Sequence, residues 1–197
     1  AEEKRVELHL HTRMSNMDAL TDTGSVVKLA AKGGMPAIAI TDHQPAFGKP
    51  EGWDYDQSYP QALSEAQARD ILLIKGMEIS HNQTDIGHIN VLFVKNPNDY
   101  NVPQDFGMKE THEALVQAYK EGAWVTGNHP GWPDQNSELS QFWIDEIKAG
   151  RIQGMEVFNS YEFYPLAIDH CNKYNLTFIG ASDLHRPMTF DYDATKV

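Results

Sequence analysis

Histidines and carboxylates in this chain stand where apolar runs end. His9 and His11 close the alternating stretch Val6-Glu7-Leu8-His9-Leu10-His11, and Asp42 with His43 follows the apolar run Ala37-Ile38-Ala39-Ile40. Glu78 comes after Ile71-Leu72-Leu73-Ile74, His129 after Ala123-Trp124-Val125-Thr126, and Asp183 with His185 after Leu176-Thr177-Phe178-Ile179. His88 opens the run Ile89 to Val94, and Asn159 ends Gly154-Met155-Glu156-Val157-Phe158. Six of the nine histidines are placed this way, while His81, His112 and His170 fall in a loop or on helices. Strands that deliver imidazole and carboxylate at one end of a sheet are how α/β barrels build metal sites. A donor set of N and O without cysteine suits Zn²⁺, Mn²⁺ or Fe²⁺ and disfavours a structural thiolate zinc site. Taken singly, each histidine reads as structural; as a set, metal binding is the better reading.

The elements that must position these residues are legible from periodicity. Val6 to His11 alternates as a strand does. Ser25 reads as the N-cap of a helix from Val26 to Lys32 that Gly33-Gly34 ends. Gln44 to Tyr59, rich in Gly, Pro and aromatics, reads as a functional wall or lid. A helix from Gln61 to about Asp70 follows. His88 comes ten residues after Glu78, too close for a crossover helix, so a hairpin is expected with both residues at one end of the sheet. Further helices are expected over Met108 to Glu121, near Glu138–Ala149, and over Pro165 to Tyr174. About seven strands, mostly alternating with helices, imply a parallel-rich α/β barrel and a single domain over 1–197.

Composition narrows the class. At 197 residues, 41% hydrophobic and 22% charged, the chain is expected to be soluble and globular, and no apolar run reaches the length of a membrane span. Cys171, the only cysteine, has no intramolecular disulfide partner, which fits the cytoplasm and admits the periplasm. The chain begins at Ala1, as a processed, trimmed or engineered N-terminus does, and the short tail after Pro187 fits a truncated domain. A net charge of −12 offers no basic face for nucleic acid. Three divalent ions would bring the total to about −6 and place a positive centre inside one pocket. With such cations an acidic chain can still bind phosphate esters. Nothing in the sequence speaks to oligomeric state.

Five segments carry a resemblance. In order, His9-Leu10-His11-Thr12, Thr41-Asp42-His43, Gly76-Met77-Glu78, Asn128-His129-Pro130 and Ser182-Asp183-Leu184-His185 match the motifs of the polymerase-and-histidinol-phosphatase (PHP) family. The chain resembles that family from about Arg5 to Pro187. The resemblance implies a distorted (β/α)7 barrel, a centre of two or three divalent metal ions (Zn, Mn or Fe), and phosphoester hydrolysis. The aromatic stretches around Trp53 and Asn128 to Trp132 are most similar to bacterial phosphodiesterase-type members. The segment His11 to Asp18 is instead similar to the PHP domain of C-type replicative DNA polymerases.

Carried over by position, the family pattern implies three metal sites. One uses His9, His11, Glu78 and Asp183; a second shares Glu78 and adds His88 and His129; a third uses Asp18, His43 and His185. His81 is the rival of His88. Many members carry an acid directly after the Ser of the opening motif, where this chain has Asn16, so the third site rests on Asp18, with Asp22 as a further candidate. Such a centre makes hydroxide available for in-line attack on phosphorus without a protein nucleophile. Asp183, Glu78, His185 and Arg186 are the candidate catalytic residues, and Arg13, Arg186 and Asn159 the candidate substrate contacts. Asp42 and Glu7 are expected either to orient ligating imidazoles or to be plain strand-edge carboxylates. Trp53, Trp132, Tyr161 and Tyr164 are candidate pocket walls. The leading expectation is a metal-dependent phosphoesterase that favours diesters over monoesters. The alternatives are a 3′–5′ exonuclease or polymerase-associated nucleic-acid phosphoesterase, and a non-catalytic metal-binding scaffold.

Overall fold

The structure is a computed structural model that describes residues 5–15, 19–45, 52–81, 85–100, 102–132 and 138–186. In chain order the elements are α1 (Thr23–Lys32), β1 (Ala37–Ile40), β2 (His43–Gln44), α2 (Ser58–Gln67), β3 (Leu72–Ser80), β4 (His88–Leu92), α3 (Met108–Glu121), β5 (Trp124–Gly127), α4 (Gln141–Lys148), β6 (Gly154–Asn159), β7 (Glu162–Phe163), α5 (Pro165–Tyr174) and β8 (Thr177–Ala181). No helix among the described residues is long and apolar enough to cross a membrane.

One mixed sheet organises the chain. Strands β1, β3, β4, β5 and β6 lie side by side in that order, with β2 also on β3 and both β7 and β8 on β6. The β1–β3, β5–β6 and β6–β8 pairs are parallel, whereas β4 runs antiparallel to both neighbours. The hairpin expected from the short Glu78–His88 spacing is therefore present, with Ser80 opposite His88.

The N-terminal segment departs from its alternating pattern. Instead of a strand it makes two isolated parallel bridges, Glu7 with Ile38 and Leu10 with Leu184. The physical reason lies in the polar groups that interrupt the ladder. Glu7 turns inward and accepts the N–H groups of His9 and Ser182, each at 3.1 Å. Leu10 N–H goes to the Thr41 hydroxyl at 3.1 Å. The two bridges still tie the β1 edge to the segment after β8, so the sheet curls on itself and brings both edges to His9 and His11.

Helices cover the outside. In α1 the cap is Asp22, whose carboxylate accepts Ser25 N–H at 3.2 Å, so Ser25 donates rather than caps and the helix starts earlier than its pattern indicates. Val26, Val27 and Ala30 then share one face and pack with Ile38, Ile40, Ala62 and Leu73. Helix α2 begins at Ser58, before the expected Gln61, and the Ser58 hydroxyl is bonded to Asp42. In α3, Glu110 reaches back to Gly107 N–H at 3.0 Å, and Ala114, Leu115 and Ala118 pack with Ile89, Val91 and Val125. Burying side chains such as Leu115 or Ile89 stabilises by about 1.5–3 kcal/mol each. Helix α4 runs from Gln141 because the Ser140 hydroxyl accepts Trp143 N–H. Of the wall read over 44–59, residues 46–51 lie outside the described residues; Tyr55 N–H is anchored on Asn98 at 2.8 Å.

Candidate metal centre

All six histidines singled out at strand ends, together with Glu78 and Asp183, converge at one end of the curled sheet. His9 and His11 come from the N-terminal segment, His43 from β2, Glu78 from β3 and His88 from β4. His129 follows β5, and Asp183 with His185 follows β8. Two of the residues, His129 (φ 23°) and Asp183 (φ 50°), adopt backbone conformations that L side chains rarely take, which is where local strain concentrates at functional sites.

Fully buried Glu78 is the hub. Its Oε1 lies 3.2 Å from His9 Nε2, 3.2 Å from His88 Nδ1 and 3.7 Å from His129 Nε2. Its Oε2 lies 2.6 Å from His43 Nδ1 and 3.6 Å from His11 Nε2. Asp183 faces it, with Oδ1 at 3.2 Å from both His9 Nε2 and His11 Nε2, and 3.4 Å from His185 Nδ1. Three donor sets result, each with its atoms within 4.8 Å: His9, His11 and Asp183; Glu78, His88 and His129; His11, His43 and His185. Glu78 thus stands between the first two sets, and the third set gains His11.

The electrostatics favour ionised carboxylates and divide the imidazoles into two groups. Glu78 is held well below the usual carboxylate range, because the imidazoles of His88, His43 and His9 outweigh its burial. Asp183 is likewise lowered against its burial, by His9, His11 and His129. Burial, with the neighbouring His43 and His185 rings, holds His11 well below its ordinary value, and burial lowers His88. For His9 and His129 the surrounding carboxylates override burial and raise the imidazoles. Neutral imidazoles and bare carboxylates are the forms that ligate a cation. His88 turns Nδ1 towards Glu78, and its Nε2 is buried with no hydrogen-bond partner among the described residues. Nitrogen and oxygen donors, with the lone Cys171 buried elsewhere in the α5 packing, fit Zn²⁺, Mn²⁺ or Fe²⁺.

Around these donors lies a second layer of polar contacts. Asn128 donates to Glu78 Oε1 at 2.8 Å, and the Ser80 hydroxyl to Oε2 at 2.8 Å. Ser15 Oγ accepts His43 N–H at 2.8 Å and sits 3.3 Å from His11 Nδ1. Asp42 accepts Thr12 N–H at 2.6 Å and the Thr12 hydroxyl at 2.9 Å, so it pins the turn after His11 rather than touching an imidazole nitrogen. Glu7 binds Arg5 and two backbone amides and acts on the same turn architecture.

The remaining sequence candidates separate. His81 has its Nε2 bonded to Phe106 O at 3.0 Å and belongs to none of the three donor sets found among the described residues, whereas His88 lies beside Glu78. Asp18 lies outside the described residues, and Asp22 is engaged as the α1 cap and 3.4 Å from Arg13. Arg13 and Arg186 are both exposed. Asn159 is buried and donates to Glu156 Oε2 at 2.7 Å, an interior contact rather than an open one. Trp132 packs its ring against His88 and His129, at centroid distances of 4.9 and 5.6 Å, while remaining exposed. Trp53 is half-buried, Tyr161 is exposed, and Tyr164 is buried with its hydroxyl on Glu162 at 2.6 Å.

Glu156 is the residue that sequence reasoning missed. It is fully buried in β6 and accepts from His9 Nδ1 at 2.8 Å and from His129 N–H at 2.7 Å. The available signal was a carboxylate in the middle of an otherwise apolar strand, a position where a charge needs a partner.

The chain is similar to known proteins in sequence and in fold. The family model described as PHP domain matches residues 7–164, well over half of the chain. The PolC-type DNA polymerase III of Staphylococcus aureus is 47% identical over 78 residues, 40% of this chain and 5% of the polymerase. A two-domain protein of Bacteroides vulgatus containing a predicted PHP-like metal-dependent phosphoesterase superposes with a TM-score of 0.82 at 32% identity, over 97% of this chain and 55% of that one. A protein of Bifidobacterium adolescentis shares the fold, with a TM-score of 0.66 at 17% identity over 93% of this chain and 88% of its own. The chain therefore spans about half of the Bacteroides protein and a small part of the polymerase.

Proposed function

The chain belongs to the PHP family, and on that premise we propose that it is a metal-dependent phosphoesterase acting on a small organophosphate, with diesters favoured over monoesters. The observation that carries the reading is the convergence of eight donor side chains into three sets, two of which share His11, around the carboxylate of Glu78. The curled sheet is read as a distorted (β/α)7 barrel, supported by the bridges that join Glu7 and Leu10 to its two edges.

His9, His11, Glu78 and Asp183 would hold one cation, and Glu78, His88 and His129 a second; His43 and His185, with Asp18, would hold a third. Bound divalent ions supply Lewis acidity towards phosphoryl oxygens and make hydroxide available from water near neutral pH. The chain's own residues prepare that chemistry. Ser80 and Asn128 fix both oxygens of Glu78, so the hub carboxylate is oriented before any ligand arrives. Asp183, Glu78 and His185 are the catalytic residues on this reading, together with Arg186, which follows His185 directly and carries a guanidinium suited to phosphate oxygens. Arg13 meets a substrate phosphate by exchanging its exposed partner Asp22. Exposed Trp132, beside His88 and His129, offers an apolar wall for the second ester group of a diester.

A second reading, a nucleic-acid phosphoesterase of the 3′–5′ exonuclease type, is favoured by the 47% identity to the polymerase segment. The net charge of −12 counts against it. Purified protein supplied with Mn²⁺ or Zn²⁺ is expected to cleave a chromogenic phosphodiester and to leave single-stranded DNA intact. Asp183→Ala is expected to abolish the cleavage. Undiminished turnover by Asp183→Ala in chelator contradicts the reading, DNA degradation favours the second one, and metal binding without any turnover points to a scaffold.

A further inference from the structure

We propose that Glu156 is a positioning residue that sets which nitrogen of His9 is free to ligate and, through the same carboxylate, fixes the backbone that carries His129. The inference rests on the metal-centre reading above and deepens it, because it links a residue outside the three donor sets to two of them.

Consider first what each oxygen of Glu156 meets. Oε1 is 2.8 Å from His9 Nδ1, and Oε2 accepts His129 N–H and Asn159 Nδ2, both at 2.7 Å. A carboxylate only accepts, so its contact with His9 requires a proton on Nδ1. In the neutral ring that leaves the Nε2 lone pair free, and Nε2 is the atom that faces Glu78, Asp183 and His11, at 3.2, 3.2 and 3.1 Å. The partner of one ring nitrogen thereby decides what the other can bind. His129 is the second handle. Its backbone stands at φ 23°, outside the regions that L residues favour, and its N–H ends on Glu156. Glu156 is fully buried, so water does not substitute for it.

The geometry dictates what an isosteric amide does. A backbone N–H only donates, so in Glu156→Gln the amide oxygen must stay at the Oε2 position, where His129 and Asn159 point. The amide NH₂ then occupies the Oε1 position and faces His9 Nδ1. Two donors cannot share that contact, so His9 is driven to accept at Nδ1 and carry its proton on Nε2. The lone pair that faces the donor cluster is lost, while the size of the side chain is unchanged.

The test is nitrogen-resolved NMR of the histidine rings combined with calorimetric titration of Zn²⁺ into chelator-treated protein. In the wild type His9 is expected to keep an exchange-protected Nδ1–H, in both its neutral and cationic forms. In Glu156→Gln that proton is expected to vanish and Zn²⁺ affinity to fall by about 10–100-fold, with the melting profile still cooperative. Asn159→Ala removes a different donor from the same carboxylate and is expected to leave the His9 Nδ1–H in place, which a merely structural role for Glu156 does not predict. Retention of Nδ1–H in Glu156→Gln, or wild-type affinity despite its loss, overturns the proposal. Should the wild type bind no Zn²⁺, the metal-centre reading fails, and the ring-proton comparison alone decides the role of Glu156.

Discussion

Gly127→Ala is expected to destabilise the domain through a single aromatic contact. Gly127 ends β5, immediately before Asn128 and His129, and the indole of Trp143 fills the space a side chain there would take. A Cβ there would stand 2.1 Å from Trp143 Cζ3 and 2.3 Å from Cη2. Carbon atoms in contact sit at about 3.5–4.0 Å, so the ring must retreat by roughly 1.5 Å. It has little room to do so, being 4% exposed, and its Nε1–H is held by Ile86 O at 2.8 Å. Overpacking of this kind costs about 1–3 kcal/mol. If the shift breaks the indole hydrogen bond, about 0.5–1.5 kcal/mol is added. For a chain of this length the combined loss corresponds to a fall in Tm of about 5–15 °C. Thermal and urea unfolding of chelator-treated protein measure this without interference from bound ions. The matched control is Gly180→Ala in β8, where the added carbon meets no atom of the described residues within 4 Å and the change is expected to stay within about 0.5 kcal/mol. If Gly127→Ala melts within about 1 °C of the wild type, the packing of Trp143 over β5 is not as described.

Three further outcomes follow from particular contacts. His88→Ala is expected to lower divalent-metal affinity, whereas His81→Ala, whose ring is committed to Phe106 O, leaves it unchanged; titration calorimetry of the pair checks this, and equal losses contradict it. Burial pushes the Cys171 thiol up to about 11, against an ordinary value of 9.0. At pH 8 ionisation alone then slows labelling by a thiol reagent about 100-fold relative to the urea-unfolded chain, and equal labelling rates in the two states contradict the buried placement. Burial raises Asp42 above the ordinary carboxylate value, against the hydrogen bonds from Ser58 and Thr12. An acid raised on folding favours the folded state fully only below its unfolded value, and that contribution is lost as pH rises through the folded value. Asp42→Asn removes the ionisation, so its stability relative to the wild type is expected to improve from about pH 4 upwards in urea titrations, and a pH-independent difference contradicts the assignment.

The site was legible in the sequence where strands do the positioning. A parallel strand followed by Asp42-His43 or Asp183-Leu184-His185 presents those side chains at one end of the sheet, and Glu78 lies near the same end although β3 runs on to Ser80, so the donors could be gathered without knowing their distances. The Glu78–His88 hairpin was legible for the same kind of reason, since ten residues leave no room for a crossover. What stayed hidden depends on partners remote in sequence. Glu156 sits in the run Met-Glu-Val, and its significance comes from His9, 147 residues away. Alternation in Val6 to His11 signalled a strand, yet side chains of Glu7 and Thr41 take up the amides that a ladder needs. Ser25 looked like a cap by type, but Asp22 occupies that role because its carboxylate accepts where a serine three residues later donates.

On the proposed function, the converging donors form a metal centre that hydrolyses phosphoesters. Its most direct test is metal content and hydrolysis measured on one preparation, with a chromogenic diester and monoester assayed side by side before and after chelation. At least two equivalents of divalent metal per chain, and hydrolysis of the diester ahead of the monoester that is lost on chelation and restored by added Mn²⁺ or Zn²⁺, are the expected results. Fewer than two equivalents, or hydrolysis that survives complete removal of the metal, contradicts the proposed function.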